Sequence, residues 1–207
     1  PYLTMTLADL GADIIKVEPL GGGDWVRWVP PLSGGTSVQF MALNRGKRSV
    51  CLNLKKPQGV EVIKRLVASA DALVESFRPG VMDRLGLGYN VLKEVNPGLV
   101  YVAITGYGQS GPMRNKAGHD LNYVARAGVL GLTGPPDGPP QLPGVQMADI
   151  GGALHGVIGI LGALMEGGGR HLDISITRST LPFLVMALAG DAGERGRAMF
   201  TRSAEHT

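Results

Sequence analysis

Short apolar runs rich in β-branched residues alternate with longer stretches of helix-like apolar spacing along most of the chain. The first kind of run predicts strands, and the second predicts helices. The predicted strands cover residues 13–18, 49–54, 72–77, 99–104 and 172–176. The predicted helices cover residues 3–10, 58–70, 82–85, 89–95, 121–132, 150–165 and 181–188. This alternation favours an α/β fold with a mainly parallel sheet and flanking helices.

Three loops follow predicted strands, after Glu18, after Phe77 and after Ile104. In Rossmann-like open sheets, ligands bind beyond the carboxyl ends of the strands, so we expect these loops to build a ligand site. We expect residues 1–190 to form one large domain, incomplete at its N-terminus, and residues 191–207 to begin a linker. The chain opens without a Met and closes in a mostly polar stretch, so we expect a fragment of a longer protein.

Composition and charge narrow the classes of ligand. The 207 residues carry a net charge of +3, and 44% hydrophobic with 18% charged residues is typical of a soluble globular protein. Aromatic residues make up 5% of the chain, which argues against stacking platforms for bases, and we expect no nucleic-acid partner. A small basic cluster favours a phosphorylated small molecule as the ligand. Its members are Arg45, Lys47, Arg48, Lys55 and Lys56.

The single cysteine and the lengths of the apolar runs bear on location. Cys51 cannot form an internal disulfide, so a reducing compartment fits best and we expect the protein in the cytoplasm. No uninterrupted run of about 18 apolar residues occurs, and we therefore predict no membrane span.

Two residues are the main candidates for chemistry. His119 lies at a predicted loop-to-helix junction, where Asp120 is a candidate N-cap, and Asp149 directly precedes a predicted helix. A carboxylate at a helix start also stabilises the helix, so each residue taken alone is more often structural than catalytic. The four histidines and the cysteine show no metal-ligand spacing, and we predict no metal site.

Two segments around these residues resemble a known group of enzymes. Residues 117–123, AGHDLNY, resemble the AGHDxNY segment of the α-methylacyl-CoA racemases, and residues 148–152, ADIGG, resemble their (A/G)D-x-GG segment. Other segments resemble the wider CoA-transferase family III, also called the CaiB/BaiF group. They cover residues 10–18, 44–49, 75–80 and 105–112. The resemblance implies a fragment of a larger fold, which in this group is an interlocked homodimer of two threaded chains.

The resemblance to the racemases implies a two-base reaction at the α-carbon of a 2-methylacyl-CoA. The matching His and Asp of the racemases remove the α-proton on one face and return a proton on the other. We therefore expect His119 to serve one face and Asp149 the other. Tyr123 and the backbone N–H groups of Gly151 and Gly152 are weaker candidates for shaping the substrate site.

Two other functions stay open. In the transferases of the group the matching Asp is a nucleophile, so Asp149 would form an acyl anhydride and then an aspartyl-CoA thioester. Those enzymes usually carry a residue other than His at the position that matches His119, which favours the racemase. The second alternative is an inactive fragment that only binds CoA.

Coenzyme A, as part of the substrate, is the one cofactor that the resemblance implies. Its phosphates need cationic partners. The implied contacts are Lys55, Ser76, Phe77 and Arg84, with Arg78 and Lys116 as additions.

The chain departs from the racemases at two places. Glu18-Pro19 stands where they typically have Asp-Arg, and Arg27 is a candidate replacement for the missing basic contact. Val145 stands where they often have Asn. Their further catalytic Glu comes from a C-terminal half that lies beyond residue 207.

Overall fold

The computed structural model describes residues 1–135 and 137–191, and these residues form a mixed α/β structure with flanking helices. The α-helices are α1 (Tyr2–Asp9), α2 (Val38–Asn44), α3 (Pro57–Val67), α4 (Val81–Arg84), α5 (Tyr89–Val95), α6 (Asp120–Ala127), α7 (Met147–Met165), α8 (Ile176–Thr180) and α9 (Val185–Asp191). The strands are β1 (Ile14–Glu18), β2 (Leu32–Ser33), β3 (Thr36–Ser37), β4 (Lys47–Cys51), β5 (Ala72–Glu75), β6 (Val100–Thr105) and β7 (His171–Ser175). Short 3-10 helices cover Trp25–Trp28, Val129–Leu132 and Leu181–Leu184.

The strands form three small sheets. β1 pairs with β4 in parallel, with Ile14 opposite Lys47 and Glu18 opposite Cys51. β6 is the central strand of the sheet β5-β6-β7, and most of its side chains are buried. β2 and β3 form a small antiparallel hairpin. The predicted α/β class is confirmed.

The described chain divides into two compact units. The first unit contains residues 1–73, 80–102 and 156–172. The second contains, of the described residues, 74–79, 103–135, 137–155 and 173–191. The predicted domain of residues 1–190 stays a prediction. The predicted linker lies outside the described residues apart from Asp191, which ends α9.

Several predicted elements differ from the structure in extent. The strand predicted at 49–54 begins earlier, at Lys47, because its first residues pair with β1. α2 was missed, and its N-cap is Ser37, whose Oγ accepts a hydrogen bond from the Phe40 N–H. Gly128, with φ +91°, ends α6 within the single helix predicted over 121–132.

α7 is long and apolar enough to cross a membrane by length and composition alone, the one such helix among the described residues. The core helix of a soluble protein passes the same test, and 44% of this apolar window is buried inside the protein. The buried positions include Ala148, Ala153, Val157 and Ile160. The helix therefore gives only weak support for a membrane span.

A buried carboxylate fixes the loop after β1 in the first unit. Glu18 is 2% exposed and accepts hydrogen bonds from Arg27 (2.6 and 2.8 Å), from the Ser49 hydroxyl (2.7 Å) and from the Asp24 N–H (2.8 Å). The hydrogen bond from Arg27, more than any other contact, lowers the pKa of Glu18 to about 2. The guanidinium of Arg27 also lies 3.9 Å from the centre of the Phe40 ring. Arg27, which we considered from the sequence as a basic contact for CoA, is thus held in an ion pair with Glu18.

Replacing Arg27 by Ala leaves Glu18 buried without its cation, and we expect the free energy of unfolding to fall by roughly 2 to 3 kcal/mol at pH 7. Glu18 has a lowered pKa, so its stabilising effect is complete above its ordinary pKa of 4.5 and is lost as the pH falls toward about 2. The difference between wild type and variant should therefore shrink below pH 4.5 in denaturant titrations.

Arg45→Ala is the matched control for this prediction, because Arg45 and Asp9 form an ion pair whose two side chains are 52% and 44% exposed. We expect a loss below about 1 kcal/mol there. Equal losses in the two variants would contradict a special role of the buried pair.

Candidate active site

The first part of the site is the N-terminus of α6. His119 has an extended backbone and is the N-cap residue, and its N–H donates to the side-chain oxygen of Asn122 at 2.9 Å. An amide side chain at the third helical position often reaches back in this way. The expectation that Asp120 is the N-cap was therefore wrong, because Asn122 fixes the cap one residue earlier and Asp120 is the first helical residue.

The second part is the first turn of α7. The helix begins at Met147 and not at residue 150, so Asp149 lies inside the first turn. The first N–H groups of a helix have no partner within the helix. The N–H of Asp149 instead donates a hydrogen bond to the Asp120 carboxylate at 2.9 Å. The N–H of Ile150 already bonds to the Gln146 carbonyl at 3.0 Å, within the helix.

A hydrophobic cluster holds the two helices together within the second unit. Ala148, directly before Asp149, is fully buried, and it shares the cluster with buried side chains of α6. The members of the cluster are Tyr123, Val124, Ala127, Val129, Ala148 and Leu184. Because Ala148 is small, the first turn of α7 can lie close to α6. His119, Asp120 and Asp149 are thereby gathered in one region, and the residues His119 and Asp149 are both exposed to solvent.

The surroundings of Asp149 favour its neutral form. The protein around its carboxyl removes water and raises its pKa, and the negative charge of Asp120 raises the pKa further. The neighbouring His119 acts in the opposite direction, and its effect is smaller. A raised pKa makes a carboxyl a better proton donor and acceptor in catalysis, and the imidazole of His119 is a second group nearby that can carry a proton.

Tyr123 supports the loop that carries His119. Its hydroxyl donates to the Gly118 carbonyl at 2.6 Å, and its ring meets the Tyr107 ring edge-on at 5.3 Å between centres. A Cβ at Gly106 or Gly118 would lie 2.4 or 2.7 Å from the Tyr123 ring, so both positions require glycine. Burial is the main reason why the pKa of Tyr123 is raised, followed by the charge of Asp149.

Gly151 and Gly152 are buried positions where α7 approaches other backbone segments of the second unit. A Cβ at Gly151 would lie 2.9 Å from the Phe183 ring, and one at Gly152 would lie 3.0 Å from Ile176. Their N–H groups follow that of Ile150 and so belong to the hydrogen-bonded part of the helix. The structure gives these glycines a packing role, and their role in shaping a substrate site stays a prediction.

The residues predicted to contact CoA fall in both units. In the first unit, Lys55 and Arg84 line a cleft of about 470 Å³ together with Lys56 and Lys64. The acidic residue in its lining is Glu61. We did not single out Lys64 from the sequence, although it lies on α3 about two helical turns after Lys56 and can share its face.

The other predicted CoA contacts belong to the second unit. Ser76, Phe77 and Arg78 follow β5 and are exposed, with the Phe77 side chain 46% exposed. Lys116 is exposed in the loop before α6. Val145, which replaces the frequent Asn of the racemases, is 63% exposed before α7. Within residues 1–135 and 137–191, no three His, Cys, Asp or Glu side chains are grouped closely enough to hold a metal ion.

The family model of CoA-transferase family III matches residues 1–204, and the chain belongs to this family. The chain is 40% identical over 194 residues to the succinyl-CoA:glutarate CoA-transferase of Mus musculus, covering 91% of this chain and 44% of that protein. It is 42% identical over 185 residues to the alpha-methylacyl-CoA racemase of Mus musculus, covering 87% of this chain and 45% of that protein.

A solved structure shows the same fold. The CAIB/BAIF family protein from Brucella suis superposes with a TM-score of 0.89 at 39% sequence identity, covering 97% of this chain and 55% of that one. The chain thus spans about half the length of the curated relatives that it matches. Relatives with two different reactions match at similar identity, so the family is defined and the reaction is not.

Removing the Tyr123 hydroxyl tests how strongly it holds the His119 loop. We expect Tyr123→Phe to lower the free energy of unfolding by about 1 to 2 kcal/mol, because the Gly118 carbonyl loses a short hydrogen bond from a buried residue. Tyr89→Phe is the control, since the Tyr89 hydroxyl lies 3.4 Å from its carbonyl partner on Gly169. A loss in Tyr123→Phe no larger than in this control, measured by urea titration, would contradict the role.

Proposed function

We propose that the protein acts on acyl-CoA thioesters as a racemase of α-methylacyl-CoA type, with His119 and Asp149 as the two proton-transferring groups. The observation that carries the proposal is the gathering of an imidazole and a carboxyl of raised pKa at two adjoining helix N-termini. Both residues are open to solvent, so a substrate can reach them.

The chemistry of a thioester α-carbon demands such a pair. Its α-proton is only weakly acidic, so removal needs a base with a proton affinity near the working pH. Inversion also needs a second group on the other face that returns a proton to the same carbon. Imidazole suits one role because its ring nitrogens can both accept and donate a proton. The raised pKa of Asp149 brings this carboxyl closer to the same range.

The second candidate function is CoA transfer between carboxylic acids, with Asp149 as the nucleophile. A carboxylate oxygen of Asp149 would attack the thioester carbonyl, form an acyl anhydride and release the CoA thiolate. The thiolate would then attack the aspartyl carbonyl and release the first acid as its carboxylate. The exposure of Asp149 and the 40% identity to a succinyl-CoA:glutarate CoA-transferase favour this candidate.

We propose that CoA phosphates bind in the cleft of the first unit. Four cationic side chains line it against one carboxylate, which is a strong local excess of positive charge. Lys55 and Lys56 also directly precede α3, and the dipole of a helix favours an anion at its N-terminus. Ser76, Phe77, Arg78 and Lys116 remain proposed contacts for other parts of CoA.

We propose that the longer parent protein is a cytoplasmic homodimer with no cofactor beyond its CoA substrate. The family resemblance supports the dimer, and the single free Cys51 is compatible with a reducing compartment. An inactive CoA-binding fragment remains the third candidate, because this chain covers about half of its relatives.

Isotope exchange and chemical trapping separate the three candidates. For the racemase we expect solvent deuterium at the α-carbon of 2-methylacyl-CoA, and we expect both His119→Gln and Asp149→Asn to slow racemisation by about 100-fold or more. For the transferase we expect hydroxylamine to capture an acylated Asp149, which mass spectrometry detects, and His119→Gln to retain transfer.

Asp9→Asn is the control for these variants, since Asp9 is a surface carboxylate paired with Arg45. Racemisation that survives unchanged in both His119→Gln and Asp149→Asn would refute the two-base proposal, whereas exchange on one face can persist in either single variant. If the wild type binds CoA but shows neither deuterium at the α-carbon nor an acylated Asp149, the third candidate, an inactive CoA-binding fragment, would stand.

Charge removal in the cleft tests the CoA site. We expect Lys55→Ala and Arg84→Ala each to weaken CoA binding about 10-fold in calorimetry, because each removes a charge-assisted contact to a phosphate. The loss should diminish at high salt. Arg65→Ala is the matched control on the same helix, outside the lining of the cleft. An equal loss in this control would indicate general electrostatic attraction and would contradict a phosphate site.

A further inference from the structure

Asp120 makes a contact that neither proposed reaction assigns to it. Its Oδ1 accepts the hydrogen bond from the Asp149 N–H at 2.9 Å, across 29 residues of sequence. The residue is partly buried at the first position of α6, directly after His119. One carboxylate is therefore bonded to the backbone of the residue whose own carboxyl is the proposed reacting group.

The hydrogen bond fixes the position of Asp149. It satisfies an N–H in the first turn of α7 that has no partner within the helix, and a negative charge at this end is favourable to the helix dipole. The buried Ala148 alongside limits the movement of the same turn. Asp120 and the hydrophobic cluster thus act on the same short stretch of backbone.

The charge of Asp120 acts on the Asp149 side chain. A like charge nearby disfavours ionisation of a carboxyl. Among the described groups of α6 and its N-cap, Asp120 and His119 influence the pKa of Asp149, and the charge of Asp149 in turn raises the pKa of Tyr123. Of these, Asp120 raises the pKa of Asp149 and His119 lowers it. Tyr123 is a phenol whose own pKa is raised, so it carries no negative charge near neutral pH.

We infer that Asp120 is a positioning residue for Asp149, which holds the Asp149 backbone through a hydrogen bond and places a negative charge close to this residue. The inference rests on the proposed function in giving Asp149 a reacting role. The contact itself and its effect on Asp149 can be measured without any turnover.

Two substitutions separate the two parts of this role. Asp120→Asn keeps an oxygen that can accept the Asp149 N–H and removes the charge. Asp120→Ala removes both the acceptor and the charge. The control is Asp173→Asn, since Asp173 also accepts a backbone N–H in the second unit, that of Gln109 at 3.0 Å.

The experiment follows Asp149 by NMR, with a pH titration of its carboxyl carbon and hydrogen exchange of its amide. We expect both Asp120 variants to shift the titration of Asp149 to lower pH. We expect Asp120→Ala alone to speed exchange of the Asp149 amide, by about 10-fold for a hydrogen bond of ordinary strength. The Asp173→Asn control should change neither measurement.

An unchanged Asp149 titration in Asp120→Asn would overturn the charge effect, and unchanged amide exchange in Asp120→Ala would overturn the hydrogen bond. If Asp120→Ala does not fold, the Asn variant still tests the charge, and direct detection of the coupling across the hydrogen bond in the wild type tests the contact. The titration shift and the faster amide exchange could both occur in a protein that neither exchanges α-protons nor transfers CoA. That result would support this inference and refute the proposed function.

Discussion

The joining of two helix N-termini is the constraint on which the candidate site depends. α6 and α7 meet where the Asp149 N–H bonds to Asp120 and where Ala148 is enclosed among the side chains of the cluster. Neither contact is local in sequence, and together they bring the helix N-termini that carry His119 and Asp149 into one region. The requirement for glycine at positions 106 and 118 follows from the same packing, because the Tyr123 ring occupies the space of a side chain there.

Two carboxyl groups in this chain show how surroundings divide structural from reactive roles. Glu18 is enclosed by hydrogen-bond donors and a guanidinium, so its pKa falls to about 2 and it stays charged over the physiological range. The carboxyl of Asp149 lies near the like charge of Asp120 and is partly removed from water, so its pKa rises. A carboxyl that stays ionised suits the fixing of a loop, whereas one shifted toward neutrality suits proton transfer.

The periodicity of apolar residues predicted much of the fold but little of the candidate site. The strand at 14–18 and the helix at 89–95 were predicted almost to the residue, because their apolar patterns are strong and their ends carry clear turn signals. α2 and the β2–β3 hairpin lack such patterns. The start of α7 was placed too late because its first turn is capped by Asp120, a residue distant in sequence. The residues His119 and Asp149 came from family resemblance, and only the structure shows what surrounds them.

The protonation of Asp149 connects this geometry with the choice between the two reactions. A nucleophile that forms an anhydride must be ionised, whereas a group that returns a proton to an enolate must be neutral. Removal of water and the charge of Asp120 both increase the neutral fraction of Asp149, and His119 opposes them more weakly. In a two-base racemase Asp149 would be the acid in one direction and the base in the other, so a raised pKa suits it better than the ordinary value does. In a transferase Asp149 would have to be ionised when it attacks the thioester, which the same surroundings disfavour.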